Sequence, residues 1–399
     1  MMTRIIGLCV PLLIIVVIVS GCWDRKELNA TSLITGIGID KGEYKKYKLT
    51  TESIIETEIN PKTGGKATPS IIFSLEGDMI AELVNKLNIG FTRSSTYSHV
   101  QVIVISEEVA KEGLLEFIDF LDRNREIRNE YNLIIAKGVS ASDVLKVSYP
   151  LQKSSSFKLK TQLETMFKDY GGDPQSKIKD FVSSLISKGR EPVLTAVTIQ
   201  GDAEKGKRKS NMETIEPDAM VLLSGIAIFK GEQLQGYLAV DDTRYYLWTQ
   251  NKIKSTSITT TCGKNKFITV HIFNSHSKVK SHYKDDKPFI QISVSLEAKM
   301  EGTQCSDDMR KLETYTHYQS LIEEQVKAGI KGTIEKAQKE YSSDIFGFGE
   351  VMNRQDYQNF KKVKENWNDE FAKADIDVTV DVKMRYLGLK TNTFLNENN

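Results

Sequence analysis

The stretch Asp375-Ile376-Asp377-Val378-Thr379-Val380-Asp381-Val382-Lys383-Met384-Arg385-Tyr386 alternates polar and apolar residues without a break. Successive side chains of a strand point to opposite faces, so this pattern gives one buried face and one wet face. Ile292, Val294, Leu296, Ala298 and Met300 repeat it against Ser293, Ser295, Glu297 and Lys299, and Phe267 to Phe273 alternates as well. Half-buried strands of this kind are typical of antiparallel pairing. Between these runs, Met309 to Tyr341 reads as a long helix. Leu312, Tyr315, Ile322, Val326, Ile330, Ile334 and Ala337 return at three- and four-residue steps, a stripe that can lie on the buried sheet face. Ile345-Phe346-Gly347-Phe348-Gly349 breaks that helix, and a further helix runs to Phe371. Residues 259–399 are therefore expected to form an α+β domain, an antiparallel sheet with helices packed on one face.

Upstream, helices and strands take turns. Thr31 to Ile39 and Tyr47 to Glu56 flank Lys41-Gly42-Glu43 and read as a hairpin. Asp78 to Leu87 and Glu107 to Arg123 carry one-sided apolar stripes, whereas His99 to Ile105 is apolar on both faces and reads as a doubly covered central strand. Tyr131 to Ala136 is a second short apolar strand. Two helices follow between Ser154 and Ser187, split by Gly171-Gly172-Asp173-Pro174, and the strand Pro192 to Gln200 closes the unit. The alternation predicts a mixed α/β domain over 22–200. The charged segment 201–217 reads as a linker, and 218–258 as a small middle domain of one hairpin and one helix. The fold class expected is α+β or mixed α/β, in several domains.

The amino terminus carries different information. Arg4 precedes an apolar run from Ile5 to Val19, then Ser20, Gly21 and Cys22, after which Trp23-Asp24-Arg25-Lys26-Glu27 is abruptly polar. This is the pattern of a signal peptide, residues 1–21, cut between Gly21 and Cys22, with the new terminal cysteine free to carry lipid. A membrane span needs ~20 apolar residues; this run is shorter and holds Pro11. The rest of the chain is ordinary globular material, 40% hydrophobic and 27% charged. With 54 Lys plus Arg against 53 Asp plus Glu, it has no basic excess of the kind nucleic-acid binding uses. Once Cys9 leaves and Cys22 is used by the anchor, Cys262 and Cys305 remain, either as a disulfide or as two buried thiols.

Three near-motifs fail on their chemistry. Gly201-Asp202-Ala203-Glu204-Lys205-Gly206-Lys207 has phosphate-loop spacing, but Arg208 stands where Ser or Thr must hold magnesium. Gly36-Ile37-Gly38 lacks the third glycine and the following helix of a dinucleotide fingerprint. His271, His276 and His282 stand five and six residues apart on strand-like sequence, which scatters them over both faces. There is no Gly-x-Ser-x-Gly and no His-Glu-x-x-His. No catalytic set, metal site or cofactor is expected.

Cys22-Trp23-Asp24-Arg25-Lys26-Glu27-Leu28 resembles the opening of the Ger(x)C family of spore germination lipoproteins, in which Cys-Trp-Asp-x-x-Glu follows the signal peptide. The resemblance continues through Ile37-Gly38-Ile39-Asp40, His99-Val100-Gln101-Val102-Ile103, Gly225-Ile226-Ala227-Ile228-Phe229-Lys230, Leu234-Gln235-Gly236-Tyr237-Leu238, and Asp344-Ile345-Phe346-Gly347-Phe348-Gly349 before Trp367. It implies three mixed α/β domains without enzymatic activity, in the C subunit of a nutrient germinant receptor. It also implies lipidation of Cys22 by diacylglyceryl and fatty acyl groups such as palmitate, at the outer face of the spore inner membrane or cell membrane. The implied partners are the bilayer and the A-type and B-type integral-membrane subunits. Trp23, Asp24 and Glu27 become candidate partner or membrane-proximal contacts. The competing reading is an anchored solute-binding protein that captures the nutrient itself.

Overall fold

The structure is a computed structural model that describes residues 31–55, 58, 68–124, 126–308 and 311–385. The first sheet contains β1 (Thr31–Lys41), β2 (Tyr47–Ile54), β3 (Ser70–Gly77), β4 (Ser94–Thr96), β5 (Val102–Ser106), β6 (Asn132–Ala136), β7 (Val193–Gly201), β8 (Ala219–Lys230) and β9 (Gln233–Leu238). Its order is β3-β2-β1-β5-β6-β7-β8-β9, with β4 beside the start of β1. β1, β5, β6 and β7 run parallel, and antiparallel hairpins extend the sheet at both ends.

β5 explains this layering. Ile103 and Ile105 enter one apolar core, Val102 and Val104 the other, so the strand is covered on both faces. Helices Glu107–Glu112, Leu115–Arg123 and Ile178–Ile186 pack on the first face; Ala141–Lys146 and Ser155–Asp169 pack on the second. The single helix expected over Glu107 to Arg123 is two, parted at Gly113.

The second sheet orders β10 (Thr256–Gly263), β11 (Lys266–Lys284), β12 (Lys287–Thr303) and β13 (Asp375–Met384). β10–β11 and β11–β12 are antiparallel, but β13 lies parallel to β12, Ile292 beside Val378 and Leu296 beside Val382. Alternation reports half-burial and is silent on direction. Here the chain between the two strands, which includes helix Leu312–Lys336, carries it back across the sheet so that both strands start from the same end. The helix lays Ile322, Val326, Ile330 and Ile334 on the sheet, all fully buried, each worth ~1.5–3 kcal/mol. Leu312, the expected start of the stripe, is exposed. The expected last helix is three, Phe348–Gln355, Tyr357–Val363 and Trp367–Lys373.

Residues 201–217 connect two neighbouring strands of one sheet, since β7 and β8 pair directly across them. Their charge reflects a mostly exposed position; Asn211 turns inward, donating to the Ser148 and Ala219 carbonyls. The stretch 218–258 shares its side chains among the cores. Ala227 and Phe229 of β8 face the first core, while Ile226 and Ile228 face the core of the second sheet together with Tyr245, Leu247 and Trp248. The two halves are thus joined through β8. Cys262 and Cys305 are bonded, tying β10 to the end of β12.

Candidate functional site: the junction at Asp344

Gly21, Cys22, Trp23, Asp24 and Glu27 lie outside the described residues. β1 begins nine residues after Cys22.

Of the segments that carried the resemblance, Asp344 to Gly349 has the densest chemistry. Asp344 is fully buried. Its Oδ1 accepts the backbone N–H of Phe346 at 3.1 Å and of Gly347 at 2.9 Å; its Oδ2 accepts Gly349 N–H at 2.9 Å and Trp367 Nε1–H at 2.7 Å. Burial pushes the carboxyl up to about 6, against the pull of Trp367, the backbone donors and Arg190. A carboxylate offers about four lone-pair sites, and four donors fill them. The group is used up in holding the loop, with no lone pair left for a proton relay or a metal.

That loop clamps the two halves. Glu191 N–H donates to the Asp344 carbonyl at 2.8 Å, and Ser343 Oγ donates to the Phe229 carbonyl at 2.7 Å. Asn368 Nδ2 reaches Glu191 Oε1 at 2.6 Å, and Arg190 Nε lies 3.2 Å from Glu350. Backbone contact is close: a Cβ on Gly349 would stand 2.5 Å from Trp367 Nε1 and 2.7 Å from Gly189 Cα. Gly347 has φ +76°, a left-handed conformation that also leaves room for the Arg190 guanidinium.

Ile37-Gly38-Ile39-Asp40 plays a similar part in the first domain. Asp40 accepts Ala141 N–H at 2.7 Å and Ser142 N–H at 2.8 Å, capping helix Ala141–Lys146. Glu52, on the neighbouring strand, accepts Ser155 N–H at 3.0 Å and Ser156 N–H at 2.9 Å and caps the next helix. Neither cap was legible in advance, because each acid lies about a hundred residues before its helix.

At the carboxyl ends of β1, β5 and β6 lies a cleft of about 490 Å³, lined by Asp40, Lys41, Ser106, Glu107, Lys111 and Ser140. Its charges are mostly spent internally: Lys41 pairs with Glu112, and Glu107 with Lys111 and the Gly138 N–H. The phosphate-loop look-alike makes no cradle, since Lys207 binds Asp143 and Glu204. His271, His276 and His282 are spread along β11, and among the described residues no group of three or more His, Cys, Asp or Glu is placed to hold a metal.

Residues 24–199 match the family described as "Spore germination protein N-terminal domain", and 224–388 match "Spore germination B3/ GerAC like, C-terminal". The chain belongs to the GerAC-like family of spore germination proteins. It is 27% identical to spore germination protein KC of Bacillus subtilis (strain 168), over 98% of each chain, and 25% identical to spore germination protein B3 of the same organism, over 92% and 94%. The crystal structure of the GerBC protein has the same fold, with a TM-score of 0.54 at 20% identity, covering 90% of this chain and 99% of that one. In this GerAC-like chain the first family match ends at 199 within β7 and the second begins at 224 within β8, paired strands of one sheet.

Proposed function

We propose that this chain is the lipid-anchored, non-catalytic C subunit of a spore germinant receptor. Acylated Cys22 would hold it on the outer face of the spore inner membrane, beside A-type and B-type integral-membrane subunits. The observation that carries the reading is the pair of family matches, which start two residues after Cys22 and run in order nearly to the end of the chain. No helix among the described residues is long and apolar enough to cross a membrane, so attachment on this reading falls to the lipid. Anchoring confines the protein beside its partners and raises their effective concentration. Two or more acyl chains hold stably where one holds marginally. The buried acids support the non-catalytic part, because Asp344, Asp40 and Glu52 spend their lone pairs on backbone donors or an indole. Cys22→Ala is expected to move the protein from the membrane to the soluble fraction and to impair the nutrient response of spores; unchanged membrane retention and response would sink the proposal.

The cleft at the carboxyl ends of β1, β5 and β6 favours a second reading, an anchored solute-binding protein, because such crevices are where parallel sheets bind ligands. Calorimetry of residues 23–399 with amino acids and sugars separates the two: saturable heat supports capture of the nutrient by this chain.

A further inference from the structure

We infer that the corner of the first domain where the edge strand β3 and the start of β1 lie is held against the lipid surface, through an apolar patch centred on Ile71 and Ile89; this rests on the anchored reading above. Phe73 of β3 and Phe91 pack edge to face with ring centroids 5.7 Å apart, and Gly90 sits directly against the Phe73 ring. Around this pair the apolar surface stays open: Ile89 is 77% exposed, and Ile71, two residues from Phe73 on the same strand face, is 49% exposed. Arg93, exposed beside them, has no carboxylate partner among the described residues.

The chain leading to the anchor meets the domain at this place. Thr31 pairs with Ser94 of β4, which follows Ile89 to Arg93 directly. Ile71 pairs with Ser53, and Ser53 with Ile34, three residues into β1. Nine residue steps separate Thr31 from Cys22, and at ~3.5 Å each they reach at most ~30 Å. An acylated Cys22 therefore keeps this corner within ~30 Å of the bilayer, and the patch is the exposed apolar surface beside the tether. Apolar side chains next to an arginine that has no carboxylate partner among the described residues suit an interface with anionic headgroups. β8, which carries the second half of the molecule, is six strand positions away in the sheet order, roughly 29 Å at ~4.8 Å per strand. Contact at the β3 edge would hold that half away from the lipid and open to partner subunits.

The test uses the mature acylated protein, starting at Cys22, in vesicles of phosphatidylethanolamine and phosphatidylglycerol that contain headgroup-region nitroxide lipid. A solvent-sensitive nitrobenzoxadiazole label is attached at Ile89→Cys or, as control, at Tyr44→Cys. Tyr44 is 83% exposed in the turn at the opposite end of β1. With residues 1–21, and so Cys9, removed, Cys22 acylated and Cys262 bonded to Cys305, each variant holds one free thiol. The label at 89 is expected to shift to the blue and to be quenched at least twofold more than the label at 44. Equal quenching at the two positions on vesicle-bound protein overturns this inference alone and points to a protein occupant for the patch. Failure of both variants to float with vesicles overturns the anchored reading and this inference with it.

Discussion

Trp367 Nε1–H donates to Asp344 Oδ2 at 2.7 Å, and both side chains are buried, one on the last helix of the second domain and one in the loop that meets the first. This bond and three backbone bonds to the same carboxylate shape the loop that receives Glu191 N–H from across the junction and sends Ser343 Oγ to the Phe229 carbonyl. Asp344→Ala would leave four buried donors without a partner. Each stranded donor costs ~1–3 kcal/mol before relaxation, so a loss of at least ~3 kcal/mol is expected, read as a lowered denaturant midpoint. Asp344→Asn keeps one acceptor oxygen and should fall between. A midpoint unchanged in the alanine variant would contradict the role assigned to this acid.

Asp173 supplies a pH prediction. It is fully buried; Oδ1 accepts Gln175 N–H at 2.8 Å and Oδ2 accepts the Thr195 hydroxyl at 2.6 Å. Burial pushes its carboxyl up to about 7, against those two bonds and Lys252, whereas an unfolded aspartate titrates near ~3.9. The folded state therefore favours the protonated acid. The stability this contributes is present in full below pH ~3.9 and is lost as pH rises through about 7. Asp173→Asn stays neutral throughout, so its stability relative to the native chain should rise between pH 4 and 7, by on the order of 3 kcal/mol. Asp344 is common to both proteins and cancels. A pH-independent difference in urea midpoints would show that Asp173 is ionised in the fold.

Much of this architecture is legible in the residues themselves. β5, β12 and helix Leu312–Lys336 stand out because burial imposes a periodicity that composition can register. β10, Thr256–Gly263, is largely threonine and serine on its wet face and carries too few apolar residues to announce a strand. The direction of β13 is set by the chain before it, and its own alternation is compatible with either sense. The 201–217 segment looks like a linker because exposure selects charge; that it joins two adjacent strands depends on pairing, which is a property of both strands together. The junction was half visible. Asp344 before two glycines marks a loop with special backbone needs, but Arg190, Glu191 and Phe229 enter it from more than a hundred residues away. Cys262 and Cys305 could be singled out by count, whereas their pairing depends on where β10 and β12 end.

That disulfide gives the next prediction. It closes a loop with a sequence separation of 43 and ties the edge strand β10 across the β11–β12 hairpin. Loop-closure entropy puts an upper value of ~4 kcal/mol on such a link. The double variant Cys262→Ser, Cys305→Ser should lose ~2–4 kcal/mol. Hydrogen exchange should rise first in β10, whose one strand partner among the described residues is β11. Uniform exchange across both sheets would mean the bond does nothing local.

Helix Leu312–Lys336 holds two glycines that make opposite predictions within one turn. A Cβ on Gly329 would stand 2.1 Å from the Tyr245 ring, in the contact that seats the helix on Val240–Thr249. A Cβ on Gly332 would meet nothing within 4 Å. Helix propensity alone favours alanine over glycine by up to ~1 kcal/mol at either position. At 332 nothing opposes that gain, so Gly332→Ala should stabilise by ~0.5–1 kcal/mol. At 329 the methyl must displace a buried aromatic ring in a close-packed core, where overpacking costs ~1–3 kcal/mol. Gly329→Ala should therefore destabilise despite the same propensity term. Thermal melts of the two variants decide it; a shared sign would mean that Tyr245 does not seat against this turn of the helix.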